Sequence, residues 1–432
     1  MEKNNKNKIP LALSFENPLR ALFTLAQQQP NRHCLAEPRG NMVRKYTYKE
    51  LAELVETIAR GISKTKNSET KPIGIVAQSS FRTIAAHFGA LLSGGKTILI
   101  PVNSSAEEQQ QIIADNQVEL LILDHLDASN DLIEQLPFLP QLRQLWVLQD
   151  EPDKYQTQVS TLGWHDMLHL ANQGKRRITL EQQLEALSDS EKLCRFYSRN
   201  DVNEFQHHDY SLGELAEEVK FATERANHEY PSFGHVSRFL SIIPFNRIMG
   251  HVEGIYLPLL TGRMLMAVDR EEAWKSAALP YAADCLVASS IFLNNASEKV
   301  QSEVNDHGGI AQFSFQKNLE RLKKVARRRK DSTHDGSPMV NFIAGKTVHY
   351  ILHRKLKENF GGDIKLCFAI DNDLRFENRL FYRSVAMPFF EIDEDDLLVE
   401  ASADITAGLA FNGVRGTQLA KNKDVLKLKI VN

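Results

Sequence analysis

The sequence predicts an α/β protein with two parallel-sheet subdomains flanked by helices and a partial small β-rich subdomain at its end. Three observations lead there. Short apolar, β-branched runs alternate with helical segments through the first third of the chain, the pattern of parallel strands covered on both faces. A second series of the same kind starts at RFLSIIPF. The 432 residues are 42% hydrophobic and 25% charged, an ordinary globular balance. A chain of this length holds more than one core.

The elements follow in order. Residues 1–14 are polar and read as a flexible N-terminus. From Asn17, NPLRALFTLAQQQP is an amphipathic helix stopped by Pro30. Thr47 and Glu50, three residues apart, form a capping box ahead of LAELVETIARGIS, whose apolar residues recur at helical spacing. KPIGIVAQSS is a buried strand, FRTIAAHFGALLSGG a helix, KTILIPV a strand, SAEEQQQIIADNQ a helix and VELLILD a strand. Residues from about Asp150 to Leu187 read as a polar, irregular connector with one aromatic anchor, GWHDML. RFLSIIPF, the helical NRIMGHVEGIYLPLLTG and RMLMAV open the second series, with AADCLVASS and DIKLCFAI as further strands. GLAFNG and DVLKLKIV read as antiparallel strands near the end, and no internal repeat is visible. The expected division is 15–190 for the first subdomain, 191–385 for the second and 386–432 for the β-rich start.

The balance of charges narrows the partners. Net charge is -3 and the isoelectric point near 6.6, so no global field favours nucleic acid. Cys34, Cys194, Cys285 and Cys367 lie far apart with no CxxC pair, against a disulfide framework or a cysteine zinc site. No run approaches the roughly 20 apolar residues of a membrane span, and the N-terminus lacks a cleavable leader pattern, so the expected location is cytoplasmic. The basic segment from Gln316 to Ser332, with Arg327, Arg328 and Arg329, reads as a solvated helix face or a weak peripheral contact to anionic lipid.

One short string mimics a nucleotide site. Ala90-x-x-x-x-Gly95-Lys96-Thr97 matches a loose Walker A pattern. A phosphate loop leads from a strand into a helix, whose N-terminal amides face the anion. Here the order is reversed: Gly94-Gly95 ends a helix and Lys96-Thr97 begins a strand. The glycines read as a helix stop.

The strings YTYKELAELVETIARGI, IGIVAQSSFRTIAAHFGALLSGGKTILIPVNSSAEEQQQIIADNQVELLILD, FLSIIPFNRIMGHVEGIYLPLLTGRMLMAV and KLKENFGGDIKLCFA resemble the adenylate-forming (AMP-binding) enzymes, in their long-chain acyl-CoA synthetase branch. The resemblance implies the large N-terminal domain of that fold, running from about Asn17 onward. The family holds ATP with a Ser/Thr/Gly-rich loop ending in Pro-Lys-Gly, because glycines admit a close backbone approach to phosphate. This chain offers Phe196-Tyr197-Ser198-Arg199-Asn200-Asp201-Val202-Asn203-Glu204-Phe205-Gln206. Only Ser198 matches. The glycine positions hold Arg199 and Val202, the lysine position holds Phe205, and Asp201 and Glu204 repel a triphosphate. The family's Tyr-Gly-x-Thr-Glu stretch, with its magnesium-binding Glu, corresponds to the run after Glu391, Ile392-Asp393-Glu394-Asp395-Asp396. Its Gly-Ala-Pro-type adenine loop is replaced by Ile370-Asp371-Asn372-Asp373. The resemblance further implies that the chain ends at Asn432 before the ribose-binding Asp, the hinge and the C-terminal catalytic-lid domain.

Other candidates are few. Arg247 stands where the family carries the His of its LPLxH motif, and a cation there suits a carboxylate. His251 and Glu253 either line a pocket or cap and solvate their helix. His207-His208-Asp209 begins like an HHxxxDG acyltransferase motif, but Leu212 stands where its Asp belongs, and the string reads as a polar loop. The ligand-binding candidates are therefore Ser198, Arg247, His251 and Glu391, with Asp395 and Asp396 as weak metal candidates and no catalytic residue. The sequence predicts a degenerate acyl-CoA-synthetase-like protein, a pseudoenzyme without a cofactor. It would bind a fatty acyl ligand, or partner an intact synthetase or an acyl carrier protein. One alternative is a ligase that still adenylates a fatty acid through an altered site with ATP and magnesium. Another is a structural subunit of a biosynthetic complex.

Overall fold

A computed structural model describes residues 17–65, 72–126, 130–149, 159–173, 179–199, 205–268, 281–306, 317, 320, 364–371, 373–384 and 387–392. Helix α1 (Pro18–Gln28) starts at Asn17, whose side chain accepts the amides of Leu19 and Arg20. A hairpin follows, β1 (His33–Arg39) and β2 (Met42–Thr47). The capping box expected at Thr47 is present: its amide donates to Glu50 Oε2 at 2.7 Å and its Oγ1 accepts from the Glu50 amide at 3.2 Å. It opens the 18-residue α2 (Tyr48–Thr65). Then come β3 (Ile73–Val76), α3 (Phe81–Leu92), β4 (Thr97–Leu99), α4 (Ala106–Asp115), β5 (Leu120–Leu123), α5 (Asn130–Gln135) and β6 (Gln144–Val147).

The region read as an irregular connector holds structure. It contains β7 (Ser160–Leu162), α6 (Trp164–Asn172) and α7 (Leu180–Ala186). Three-residue β7 is too short to show a period, but it pairs with β6 as an edge strand. The His207-His208-Asp209 string, read as a loop, lies in β9 (Phe205–Ser211), paired antiparallel with β8 (Lys192–Arg199). Helix α8 (Leu212–Glu229), β10 (Arg238–Ile242), α9 (Ile248–His251), α10 (Leu257–Leu260), β11 (Met264–Ala267) and β12 (Cys285–Ser289) follow. Between α9 and α10, Val252–Tyr256 is π-helical, which the sequence did not signal. After the helix Ser290–Asp306 come β13 (Leu366–Ile370), the helix Phe376–Ser384 and β14 (Phe389–Ile392). Of the expected β-rich start at 386, the described residues include β14, a parallel edge strand of the second sheet. GLAFNG and DVLKLKIV lie outside the described residues.

Two seven-stranded sheets result, in the orders β7-β6-β5-β3-β4-β8-β9 and β14-β13-β12-β10-β11-β1-β2. Each is parallel except for a terminal hairpin. Chain position and sheet membership cross over, because the early β1–β2 joins the second sheet and β8–β9 completes the first. The two orders are the same plan. Each hairpin also leads through a capping box into an 18-residue helix, Tyr46-Thr47-x-x-Glu50-Leu51-Ala52-Glu53-x-Val55 in one half and Tyr210-Ser211-x-x-Glu214-Leu215-Ala216-Glu217-x-Val219 in the other. The two halves thus form an internal repeat, against the expectation of none, because only capping and core positions are shared between them.

Alternate strand residues sort into separate cores. Ile73, Ile75, Leu120 and Ile122 join Leu265, Phe239, Val287 and Phe368 of the other sheet in one central core with α1, α2, α3 and α8. Val76, Ile98, Leu121 and Leu123 face α4 and α5 on the outer side of the first sheet. Leu240, Leu286 and Cys367 face the outer helices of the second. The period of two along each strand thus produces five layers, with helices between the sheets and outside both.

Candidate functional site

In an open α/β sheet, ligands meet the crevice beyond the carboxyl ends of the strands where the order reverses. In the second sheet that point lies between β10 and β12, since β11 lies to one side of β10 and β12 to the other. The segments leaving β10, β12 and β13 are 243–247, Ser290 with its helix, and the stretch that carries Asp371 and Asp373. Arg247 is the N-cap residue of α9, and its guanidinium is paired with the Asp371 carboxylate. Asp371 is fixed from several sides. Its amide donates to Ile392 O at 3.0 Å, and its carbonyl accepts from the Asp373 amide at 2.8 Å and from Ser290 Oγ. Its φ of +69° is a left-handed conformation for a residue other than glycine. Asn294 ties the same loop to the helix Ser290–Asp306, donating to Asp373 O at 3.1 Å and accepting from the Arg375 amide at 3.0 Å.

Ser198 approaches from the first sheet. Asn246, beside Arg247, donates to the carbonyl of Tyr197, beside Ser198, at 3.4 Å. Ser198 Oγ accepts from Gln206 Nε2 at 3.4 Å across the β8–β9 ladder. Glu391 lies on β14 opposite Ala369 and pairs with Arg379 at 2.7 Å. Asp395 and Asp396 lie outside the described residues, as does most of 316–332 with Arg327, Arg328 and Arg329. Among the described residues no group of three or more His, Cys, Asp or Glu is placed to hold a metal ion. No described helix is long and apolar enough to cross a membrane.

His251 sits elsewhere than the sequence reading put it. It neither caps a helix in solvent nor lines the crevice, but is fully buried between the two sheets. Its Nε2 donates to Phe245 O at 2.5 Å, its ring lies 5.0 Å from those of His87 and Phe196, and burial pulls its pKa down to about 3. His87 on α3 shares this seam, with Nε2 2.7 Å from the Tyr256 hydroxyl. Burial, and then the nearby His251, holds its pKa well below the usual histidine value. Both rings are therefore neutral packing elements at neutral pH. Glu253 is likewise structural: 1% exposed, it pairs with Arg225 of α8 at 2.6 Å.

The Walker-like string is structural as well. Gly94 has φ +71° and donates to Leu91 O, while Gly95 donates to Ala90 O, closing the end of α3. Lys96 Nζ meets Asp209 Oδ2 at 2.9 Å, and Thr97 Oγ1 donates to Leu193 O at 3.2 Å. Arg195 clasps Asp209 with two bonds of 2.6 Å. Burial alone would raise the Asp209 pKa, but the hydrogen bonds from Arg195 and Lys96 outweigh it and hold it at about 2. The lysine of the string thus neutralises an acid of the HHD string.

Among the described residues the crevice thus holds the guanidinium–carboxylate pair Arg247–Asp371, while Arg379–Glu391 joins the edge strand β14 to the helix Phe376–Ser384. The guanidinium of Arg247 is a planar fork that suits a planar anion. Asp371 was named in the sequence as a departure and not as a site residue. In the sequence, the composition Asp371-Asn372-Asp373 is the signal for its place, since Asp and Asn tolerate left-handed backbone. The other cleft of note, of about 230 Å³, is at the opposite, amino ends of β3, β5 and β6, lined by Ile73, Leu120 and Gln144.

Residues 22–188 match the family model described as AMP-binding enzyme. The chain is 24% identical over 150 residues to a chloroplastic long-chain-fatty-acid–acyl-carrier-protein ligase of Arabidopsis thaliana, covering 35% of this chain and 21% of that protein. It is 33% identical over 92 residues to a component of the mycosubtilin synthase of Bacillus subtilis, covering 21% of this chain and 3% of that protein. In fold it is similar to the adenylation domain of a carboxylic acid reductase from Segniliparus rugosus, in complex with AMP and a co-purified carboxylic acid. That likeness has TM-score 0.68 at 11% identity over 89% of this chain and 60% of that one. It is also similar to a fatty acyl-adenylate ligase from L. pneumophila, with TM-score 0.53 at 11% identity over 85% of this chain and 52% of that one. The chain spans less than two thirds of each of these proteins.

Proposed function

We propose that this chain, with the fold of adenylation domains and an AMP-binding match at 22–188, acts by binding a fatty acyl ligand and not by adenylating it. The observation that carries this reading is the Arg247–Asp371 pair in the crevice at the strand ends. A guanidinium there suits a carboxylate. Adenylation, by contrast, asks for amides, hydroxyls and magnesium around developing phosphoryl charge. The β8–β9 connection offers Asn200, Asp201, Val202, Asn203 and Glu204 in place of a glycine-rich loop. The bound ligand would be handed to, or withheld from, an intact synthetase or an acyl carrier protein in lipid metabolism. The four cysteines, all buried thiols, motivate placing this in the cytoplasm. Calorimetric titration of the purified chain with decanoate and with Mg-ATP tests the reading. Saturable decanoate binding without ATP binding is expected; ATP binding alone, with none for decanoate, overturns it.

A second reading is favoured by the Arabidopsis thaliana relative, whose name is that of a fatty-acid ligase. In it the chain still adenylates a fatty acid, with Asp395 and Asp396 holding magnesium. Activity unchanged in Asp395→Ala/Asp396→Ala would remove the role of those acids.

A further inference from the structure

We propose that Asp371 is a built-in occupant of the Arg247 seat, a carboxylate that an incoming anion must displace, and that it makes the crevice select a carboxylate over a phosphate ester. The inference rests on the reading of Arg247 as the crevice's ligand-binding cation. The two residues are 124 positions apart and come from separate strand ends, so the pair exists only because the fold brings β10 and β13 to one crevice. Their side chains are 32% and 29% exposed, so an anion from solvent can reach the guanidinium. A partly exposed pair of this kind is weak, so a ligand exchanging its own anion for Asp371 can offset its loss.

The backbone of Asp371 decides the selectivity. It is held by Ile392 O, the Asp373 amide and Ser290 Oγ, in a left-handed turn of the sort found at ligand clamps. A displaced carboxylate can therefore rotate away but not leave. An entering monocarboxylate meets one unit of residual repulsion. A phosphate monoester, carrying nearly two charges at neutral pH, meets about twice as much, which cancels the extra attraction of the guanidinium and leaves its larger desolvation cost uncompensated.

Decanoate and decyl phosphate place two head groups on one alkyl chain. Each is titrated into the unmodified protein, Asp371→Asn, Asp371→Gly and Arg247→Gln, with circular dichroism confirming the fold of every variant. Asn and Gly both accept left-handed backbone, so the turn keeps its shape. Gly also removes any amide that could re-bond the guanidinium. The unmodified protein is expected to prefer decanoate. Both Asp371 variants should bind decanoate about fivefold tighter and decyl phosphate tighter by a larger factor, narrowing or inverting the preference. Arg247→Gln should lose both ligands. If decanoate binds, Arg247→Gln weakens it, and the Asp371 variants change neither affinity nor preference, this proposal is overturned while the binding reading stands. If no protein binds decanoate, the Asp371 variants included, both are overturned.

Discussion

Gly89 sets the distance between α2 and α3, and replacing it with alanine tests how tightly that contact is drawn. A Cβ at Gly89 would lie 2.5 Å from Ile58 Cγ2, 2.7 Å from Ile58 Cβ and 3.2 Å from Val55 O. In an open helix Gly→Ala gains about 1 kcal/mol of propensity. Here Ile58 is fully buried and β-branched, so it cannot rotate out of the way, and overpacking of this sort costs about 1–3 kcal/mol. With Ile58 pinned, the clash outweighs the propensity gain. Gly89→Ala should lower stability by about 1 kcal/mol and at most about 2, measured as a shift of the urea midpoint at unchanged slope. Ile58→Ala removes the Cγ2 contact but keeps the Cβ, so in that background the cost of Gly89→Ala should fall and the cycle should show coupling of about 1 kcal/mol. Because His87 lies two residues before Gly89, the loss should also disturb its bond to Tyr256, visible as a shifted imidazole resonance. A Gly89→Ala protein that is more stable than the parent would refute the reasoning.

Asp209→Asn should cost about 1 kcal/mol at neutral pH, the shift from 3.8 to about 2 being discounted for partial exposure of the carboxylate. A depressed folded-state pKa gives stability that is complete above the unfolded value and lost as pH falls toward the folded one. The difference between parent and variant should accordingly shrink between about pH 4 and pH 2, as read by urea titrations at stepped pH; a difference that grows on acidification would contradict the assignment. The four thiols are buried, and burial pushes Cys194 up to about 12 and the other three upward as well. A thiol reagent should find none of them in the native protein and all four after denaturation; rapid native labelling would show that the described packing opens.

What the sequence disclosed was local. Thr47 and Glu50 announced a helix start because a capping box needs residues only three apart, and Gly94-Gly95 announced a helix end for a similar reason. The β-branched runs at β3, β4 and β5 showed strands because burial on both faces leaves a continuous apolar signature. The β1–β2 hairpin leaves no such signature: HCLAEPR mixes charge and proline, and its sheet partner β11 is more than 200 residues away. The parallel between YTYKELAE and YSLGELAE was readable but weak, since the shared positions are capping and core residues common to many helices. At the site, Arg247 could be nominated from its place in a resemblance, but its pairing with Asp371 could not, because a single sequence carries no trace of a contact across 124 residues. His251 illustrates the converse. Its neighbours on the chain are glycine and valine, and only tertiary packing with His87, Phe196 and Phe245 makes it a buried, neutral ring.

The central claim is that this scaffold binds without adenylating. ATP–pyrophosphate exchange on the purified chain, with magnesium and fatty acids of graded length, tests it most directly. Exchange no greater than a blank without fatty acid is the predicted result. Exchange that rises with a fatty acid would contradict the claim and establish the chain as a ligase.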